Sequence, residues 1–238
     1  MADPRLVLAF DTATSATAVA VIAPDGREIE LRDDTGPGGR PRHAQQLLPL
    51  ARQALEAAGA GFADVDRVVV GIGPGSFTGL RIGVATARAL ALGAQAELVG
   101  VSTLHVLAEA AAAERDGVVA PVLDARRGEV FVAAWRDGRL VLAPRAVAPD
   151  AVAAAAADAA VPGPAGWLAV GDGAVRFRGI LETAGMSVPV DDSPLHRVSA
   201  TILARLGARV DPSPRGDVVP EYLRLPDAEL ALRARPER

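Results

Sequence analysis

Few side chains in this sequence come in the company that chemistry requires. The first candidate is Asp11-Thr12-Ala13-Thr14-Ser15-Ala16-Thr17, a carboxylate followed by four hydroxyls between two apolar runs. Two readings stand: Asp and Thr close the turn through local backbone bonds, or the loop faces a phosphate or a metal. On this stretch alone, turn closure is favoured. The second candidate is Gly71, Gly73, Pro74 and Gly75, where the β-branched run Val68–Val70 ends and a small-residue helix begins. Ser76 or Thr78 can cap that helix, and backbone N–H groups at a helix start suit an anion.

Other chemistries lack their residues. A serine nucleophile elbow needs glycines two before and two after the serine, and around Ser76 those places hold Pro74 and Thr78. No GxGxxG opens a helix after a strand, so a dinucleotide site has no support. The three histidines, His43, His105 and His196, offer no pair at metal-binding spacing. His43 reads as a capping or surface residue, with a recognition role as the alternative. Arg126 and Arg127 either bind an anion or are solvated in a turn, and Asp172 is a ligand or a turn former. The absence of cysteine removes disulfides, thiolates and cysteine-based zinc sites, and the absence of lysine removes a P-loop and any Schiff base.

These candidates must be positioned by regular elements. Leu6–Phe10 and Ala18–Ala23 read as a hairpin, and Arg27–Leu31 as a third strand. Residues 33–42 form a Gly/Pro loop. A helix over Ala44–Ala58 carries Leu47, Ala51, Ala54 and Ala58 on one side and Leu48 and Leu55 on a neighbouring stripe, so two neighbours are expected. Pro49 either sits in its first turn or kinks it. The central helix is dense in Gly79, Gly83, Ala85, Ala87, Ala89 and Ala91, which lets another backbone come close. Further on, Glu97–Val101 reads as a strand, Thr103–Ala113 as a helix, and Val118–Leu123 with Glu129–Trp135 as a second hairpin. Ala151–Ala160 and Ala200–Ala208 read as helices, the latter capped by Ser199. Leu168–Gly173 repeats the strand-then-glycine pattern, so a second lobe echoes the first.

The 238 residues are half apolar with a formal charge of −4, enough for one large domain or two small lobes. A broad basic face for nucleic acid is excluded, because neutralising phosphates needs clustered cations. Without a signal-like leader or a run long enough to span a bilayer, the expectation is a cytoplasmic protein that does not meet a membrane.

Five segments together resemble the TsaB (YeaZ) family: LAFDTATSATAVAV, HAQQLLPL, GIGPGSFTGLRIGVATARALA, PVLDARRGEVFVA and VPEYLR. The resemblance implies a two-lobe α/β actin-like, Hsp70-like fold (ASKHA, ribonuclease H-like) with mixed sheets flanked by helices. Its lobes would span 1–102 and 103–214, with the tail 215–238 packing back on the first. It implies a non-catalytic activating subunit in the making of N6-threonylcarbamoyladenosine in tRNA. Such a subunit binds a TsaD-type catalytic subunit, is joined by a TsaE-type ATPase, meets tRNA only through the complex, and forms a homodimer when alone. TsaD-type chains hold a metal with an HxxxH pair; the matching positions here are Thr103 and Leu107, so no metal is expected. Asp11, Thr12, Gly73, Gly75 and Ser76 are residual nucleotide-pocket candidates. The first loop lacks the glycine that ATP-hydrolysing relatives place beside the first threonine, so weak or no nucleotide binding and no cofactor are expected. The family's partner helices map onto Ala44–Ala58 and Thr78–Leu92, which nominates Leu47, Leu50, Ala51, Ala54, Leu80, Val84, Ala87 and Arg88 as interface. The rival reading is a glycoprotease-like peptidase or an ATP-using, sugar-kinase-like enzyme of the same fold.

Overall fold

Two sheets form on one plan. The computed structural model describes residues 5–34, 39–114, 116–159, 161, 163–212 and 214–224. In the first sheet, β1 (Val7–Asp11) pairs antiparallel with β2 (Thr17–Ile22), and β2 antiparallel with β3 (Glu28–Asp33). On its other side β1 runs parallel to β4 (Arg67–Gly73), which runs parallel to β5 (Glu97–Ser102). In the second sheet, β6 (Val118–Arg126) pairs antiparallel with β7 (Glu129–Arg136), and β7 antiparallel with β8 (Arg139–Val147). There β6 runs parallel to β9 (Leu168–Val170). The strand orders β3-β2-β1-β4-β5 and β8-β7-β6-β9 make the second sheet a copy of the first without its last strand.

Alternation along the strands sends residues to opposite faces. Leu8, Phe10, Val68 and Val70 pack against α1 (His43–Ala57) and α2 (Phe77–Gly93), whereas Val7, Ala9, Val69 and Val99 pack against α3 (Thr103–Ala112) and α7 (Ala200–Ala208). The unbroken run Val68–Val70 is apolar because both of its faces are buried. The second cluster continues to Val119, Leu123, Phe131 and Trp135 of the second sheet, so α3 and α7 lie between the sheets. The outer face of the second sheet is closed by α4 (Val152–Asp158), α5 (Asp172–Arg176) and α6 (Arg178–Thr183).

A carboxylate of the first sheet receives the start of α7. Glu30 on β3 accepts hydrogen bonds from Ser199 Oγ at 2.8 Å and from the backbone N–H groups of Ala200 and Thr201 at 3.0 Å. Burial opposes its charge, yet these donors prevail and hold the carboxyl below its ordinary range. A negative charge at a helix start is also favoured by the helix dipole. Although α7 lies within the span 103–214 expected for the second lobe, it packs on β1 and β2 of the first sheet. Residues 215–221 also run back over the first sheet and 222–224 continue to the second, while the rest of the expected tail lies outside the described residues.

Other differences are local. Pro49 lies inside α1, beyond its first turn, with its ring exposed. The alanine helix starts at Val152 after a short 3-10 turn and ends at Asp158, and Ala160 falls outside the described residues. Among the described residues, no helix is long and apolar enough to cross a membrane.

Candidate functional site

The β1–β2 turn and the start of α2 are clamped together. Asp11 Oδ1 accepts the Ala13 N–H at 2.7 Å, and its Oδ2 accepts the Thr103 hydroxyl at 2.7 Å. Thr12 Oγ1 donates to the Gly79 carbonyl at 2.7 Å, and the Ser76 N–H donates to the Ala13 carbonyl at 2.7 Å. Such proximity requires glycine: a Cβ on Gly79 would lie 1.9 Å from the Thr12 carbonyl oxygen, and one on Gly71 1.8 Å from Asp11 Oδ2. The small residues of α2 thus receive a backbone of this same chain. Ser76 caps α2 by accepting the Gly79 N–H at 3.3 Å.

The five nucleotide-pocket candidates are therefore divided. Asp11 and Thr12 are buried and engaged internally, and Gly73 lies under Leu80 and the Glu221 backbone. Burial pushes the Asp11 carboxyl above its ordinary value, against the Thr103 and Ala13 hydrogen bonds and Arg32. Only Gly75 and Ser76 of the five line the cleft between the sheets, a cavity of about 400 Å3. Its opposite wall holds Asp124, Arg126 and Asp172, and Tyr222 and Arg224 of the tail complete it. That wall reproduces the first turn in outline: Asp124 Oδ1 accepts the Arg126 N–H at 2.9 Å, two residues on, and its Oδ2 pairs with Arg176 at 2.7 Å. Asp172 Oδ1 accepts the Asp124 N–H at 3.0 Å, which ties the start of α5 to β6 across 48 residues of chain.

The histidines serve packing. His43 is buried, not at the surface as its sequence context suggested. Its Nδ1 shares a 2.9 Å hydrogen bond with Thr17 Oγ1, whereas Nε2 has no hydrogen-bond partner among the described residues. Burial lowers its pKa, opposed by the Thr14 backbone and Asp33. His196 accepts the Gly171 N–H at Nδ1. His105 stacks on Trp135 with ring centroids 5.4 Å apart. Between the helical positions matched to HxxxH, the Thr103 hydroxyl holds Asp11 and Leu107 is core. No group of three or more His, Cys, Asp or Glu able to hold a metal occurs among the described residues.

The nominated interface residues lie at different depths. Leu47, Ala51, Ala54, Leu80, Val84 and Ala87 are between 0 and 4 % exposed; Leu80 lies over Gly73, and the others pack between the two helices and the first sheet. Leu50 is half-buried, and Arg88 is engaged by the tail, donating to the carbonyls of Gly216 and Val218. The outward rows of these helices carry Leu48 and Leu92, 48 % and 61 % exposed, with Ala85 and Ala89 also exposed.

A family model described as TsaD, tRNA N6-adenosine threonylcarbamoyltransferase, matches residues 39–174. The tRNA threonylcarbamoyladenosine biosynthesis protein TsaB of Escherichia coli is 39 % identical over 131 residues, which span 55 % of this chain and 54 % of that protein. A crystal structure from Pseudomonas aeruginosa, of a protein with similarity to peptidase YEAZ, superposes with a TM-score of 0.74 at 31 % identity, covering 92 % of this chain and 100 % of the other. A Bacteroides thetaiotaomicron protein with an actin-like ATPase fold gives a TM-score of 0.51 at 9 % identity over 85 % of this chain and 96 % of its own, a likeness of fold alone. The shared two-sheet frame and a sequence match that runs through both sheets make this chain a member of the TsaB/YeaZ family, with an actin-like fold.

Proposed function

We propose that this chain is a non-catalytic subunit in the biosynthesis of N6-threonylcarbamoyladenosine in tRNA. It acts in the cytoplasm by binding and activating a TsaD-type catalytic subunit, is joined by a TsaE-type ATPase, and meets tRNA only through the assembly. The observation that carries this reading is the use made of Thr103 and Leu107. At the places where the resemblance puts the catalytic sister's histidine pair, one side chain holds Asp11 and the other fills the core. Binding then falls to surface, and the outward rows of α1 and α2, with Leu48, Ala85, Ala89 and Leu92, are the proposed docking face. The same face is proposed to meet a second copy when the catalytic subunit is absent.

Reconstitution tests the role. Omitting this chain from a mixture of its TsaD-type and TsaE-type partners, tRNA and substrates should abolish most threonylcarbamoylation, and undiminished activity overturns the proposal. Ala89→Glu with Leu92→Glu should leave the thermal melt nearly unchanged while weakening complex formation at least about tenfold, roughly 1.4 kcal/mol or more. Unchanged complex mass would exclude this face. In calorimetry with ATP, the free chain is expected to show no saturable heat, because the inner half of the residual pocket is closed by its own hydrogen bonds.

A further inference from the structure

The segment 214–224 crosses from one sheet to the other, and its two ends are held very differently. At the first sheet, Arg88 grips it by donating from Nε to the Val218 carbonyl at 3.1 Å and from Nη2 to the Gly216 and Val218 carbonyls at 2.8 Å. Arg215 donates to the Ala96 carbonyl at 3.0 Å, and the Glu221 N–H donates to the Ile72 carbonyl at 2.7 Å. Val218 is buried in the α1–α2 side of the core, where a Cβ on Gly100 would stand 3.1 Å from its Cγ1. Tyr222 then meets Phe77 at the cleft rim with centroids 5.2 Å apart, and Arg81 lies 3.9 Å over the Phe77 ring while its Nε donates to the Tyr222 hydroxyl at 3.3 Å.

At the second sheet, Leu223 packs on the central cluster, and Arg224 donates to Glu129 of β7 at 2.8 Å with both side chains partly exposed. Several hydrogen bonds to backbone carbonyls, backed by the buried Val218 side chain, hold the first end more firmly than an ion pair between two partly exposed side chains, which water and salt compete for. The strip between the ends, Glu221 to Arg224, lines the cleft.

We infer that residues 214–224 are a strap that sets the opening of the cleft between the two sheets, buckled permanently to α2 by Arg88 and latched reversibly to β7 by Arg224 and Glu129. Release begins at the weaker end, swings Tyr222 off Phe77 and bares the Ser76 rim. Arg88 thereby acts as a positioning residue for the strap and not as a partner contact.

The chain has no cysteine, so a nitroxide pair can be placed cleanly, at Gln53→Cys on α1 and Ala154→Cys on α4, both exposed. Pulsed electron resonance on the full chain should give one narrow interlobe distance. Arg224→Gln should broaden it toward longer values, with amide exchange in peptides spanning 221–224 and 75–78 at least about tenfold faster and peptides of β1 and α7 unchanged. Arg88→Met, which keeps the stem and loses the donors, should extend the faster exchange back to residue 215. An unchanged distance distribution in both variants overturns the inference, as does a uniform rise in exchange across the core, which would mean general destabilisation instead of release.

Discussion

The two sheets carry the same strand–Asp–turn unit, and they use it in opposite ways. Asp11 ends β1 and Asp124 lies near the end of β6; each accepts the N–H two residues on, at 2.7 and 2.9 Å. Each turn is also crossed by glycines of the parallel strand–helix unit that follows: Gly71 beside Asp11 and Gly79 beside Thr12 in the first, Gly171 beside Val122 and Gly173 beside Leu123 and Asp124 in the second. In the first sheet the remaining carboxylate oxygen takes a buried hydroxyl, from Thr103, and the loop is sealed. In the second it takes Arg176 and Arg126 at the cleft wall, in partial contact with water. One local motif therefore gives a structural lock on one side and a hydrated rim on the other, because the partner arriving from elsewhere in the chain differs.

Substitutions should break this comparison in graded steps. The largest effect is expected for Gly79→Ala, whose Cβ must displace a backbone carbonyl and cannot rely on a side chain giving way. A loss of about 3 kcal/mol or more should appear as a lowered urea midpoint, with Gly173→Ala next, since its nearest atom is 2.7 Å away. Thr103→Val should cost about 1–3 kcal/mol at neutral pH, because it strips a donor from a buried carboxylate.

Asp11→Asn should act with the opposite sign. The folded Asp11 has a pKa raised above its unfolded value, so its contribution is fully present below the unfolded pKa of 3.8 and is lost as pH rises through the folded value. Asparagine cannot ionise and can still accept the Ala13 N–H. Its gain over the native chain should therefore be small near pH 4 and grow toward pH 7 in urea titrations, remaining below the Thr103→Val loss. A gain that does not grow with pH would mean that the native carboxylate carries no burial penalty. The smallest effect belongs to Arg176→Gln on the hydrated side, under about 1 kcal/mol, because the arginine side chain is 52 % exposed. An Arg176→Gln cost equal to that of Thr103→Val would erase the distinction between lock and rim.

Much of the fold was legible where periodicity and punctuation agree. The strands of the first sheet, α1, α2 and the second hairpin lie within a few residues of their sequence positions. Strand β8 was missed, since Pro144 argues against a strand interior; it is tolerated because β8 is the sheet edge and Pro144 falls at the register shift between Leu142 and Arg145. The short helices α5 and α6 have too few turns to show a period. The site was less legible. Apolar spacing on α1 and α2 announced covered faces correctly, but it holds no information on what covers them, and the cover proved to be the chain's own first sheet. His43 was misplaced for the same reason, since its partner Thr17 is 26 residues distant.

The sequence by itself determined where the strands of the first sheet stop, that Ser76 or Thr78 starts a helix and which segments resemble the TsaB family, because caps, glycines and residue order act within a few positions. Only the tertiary structure decided that Asp11 meets Thr103 from 92 residues away, that Glu30 receives α7 and that Arg88 grips the tail. Those pairings arise when sheets and helices stack. Which polar group is then shut away from water, and which partner satisfies it, depends on the packing of all the layers at once.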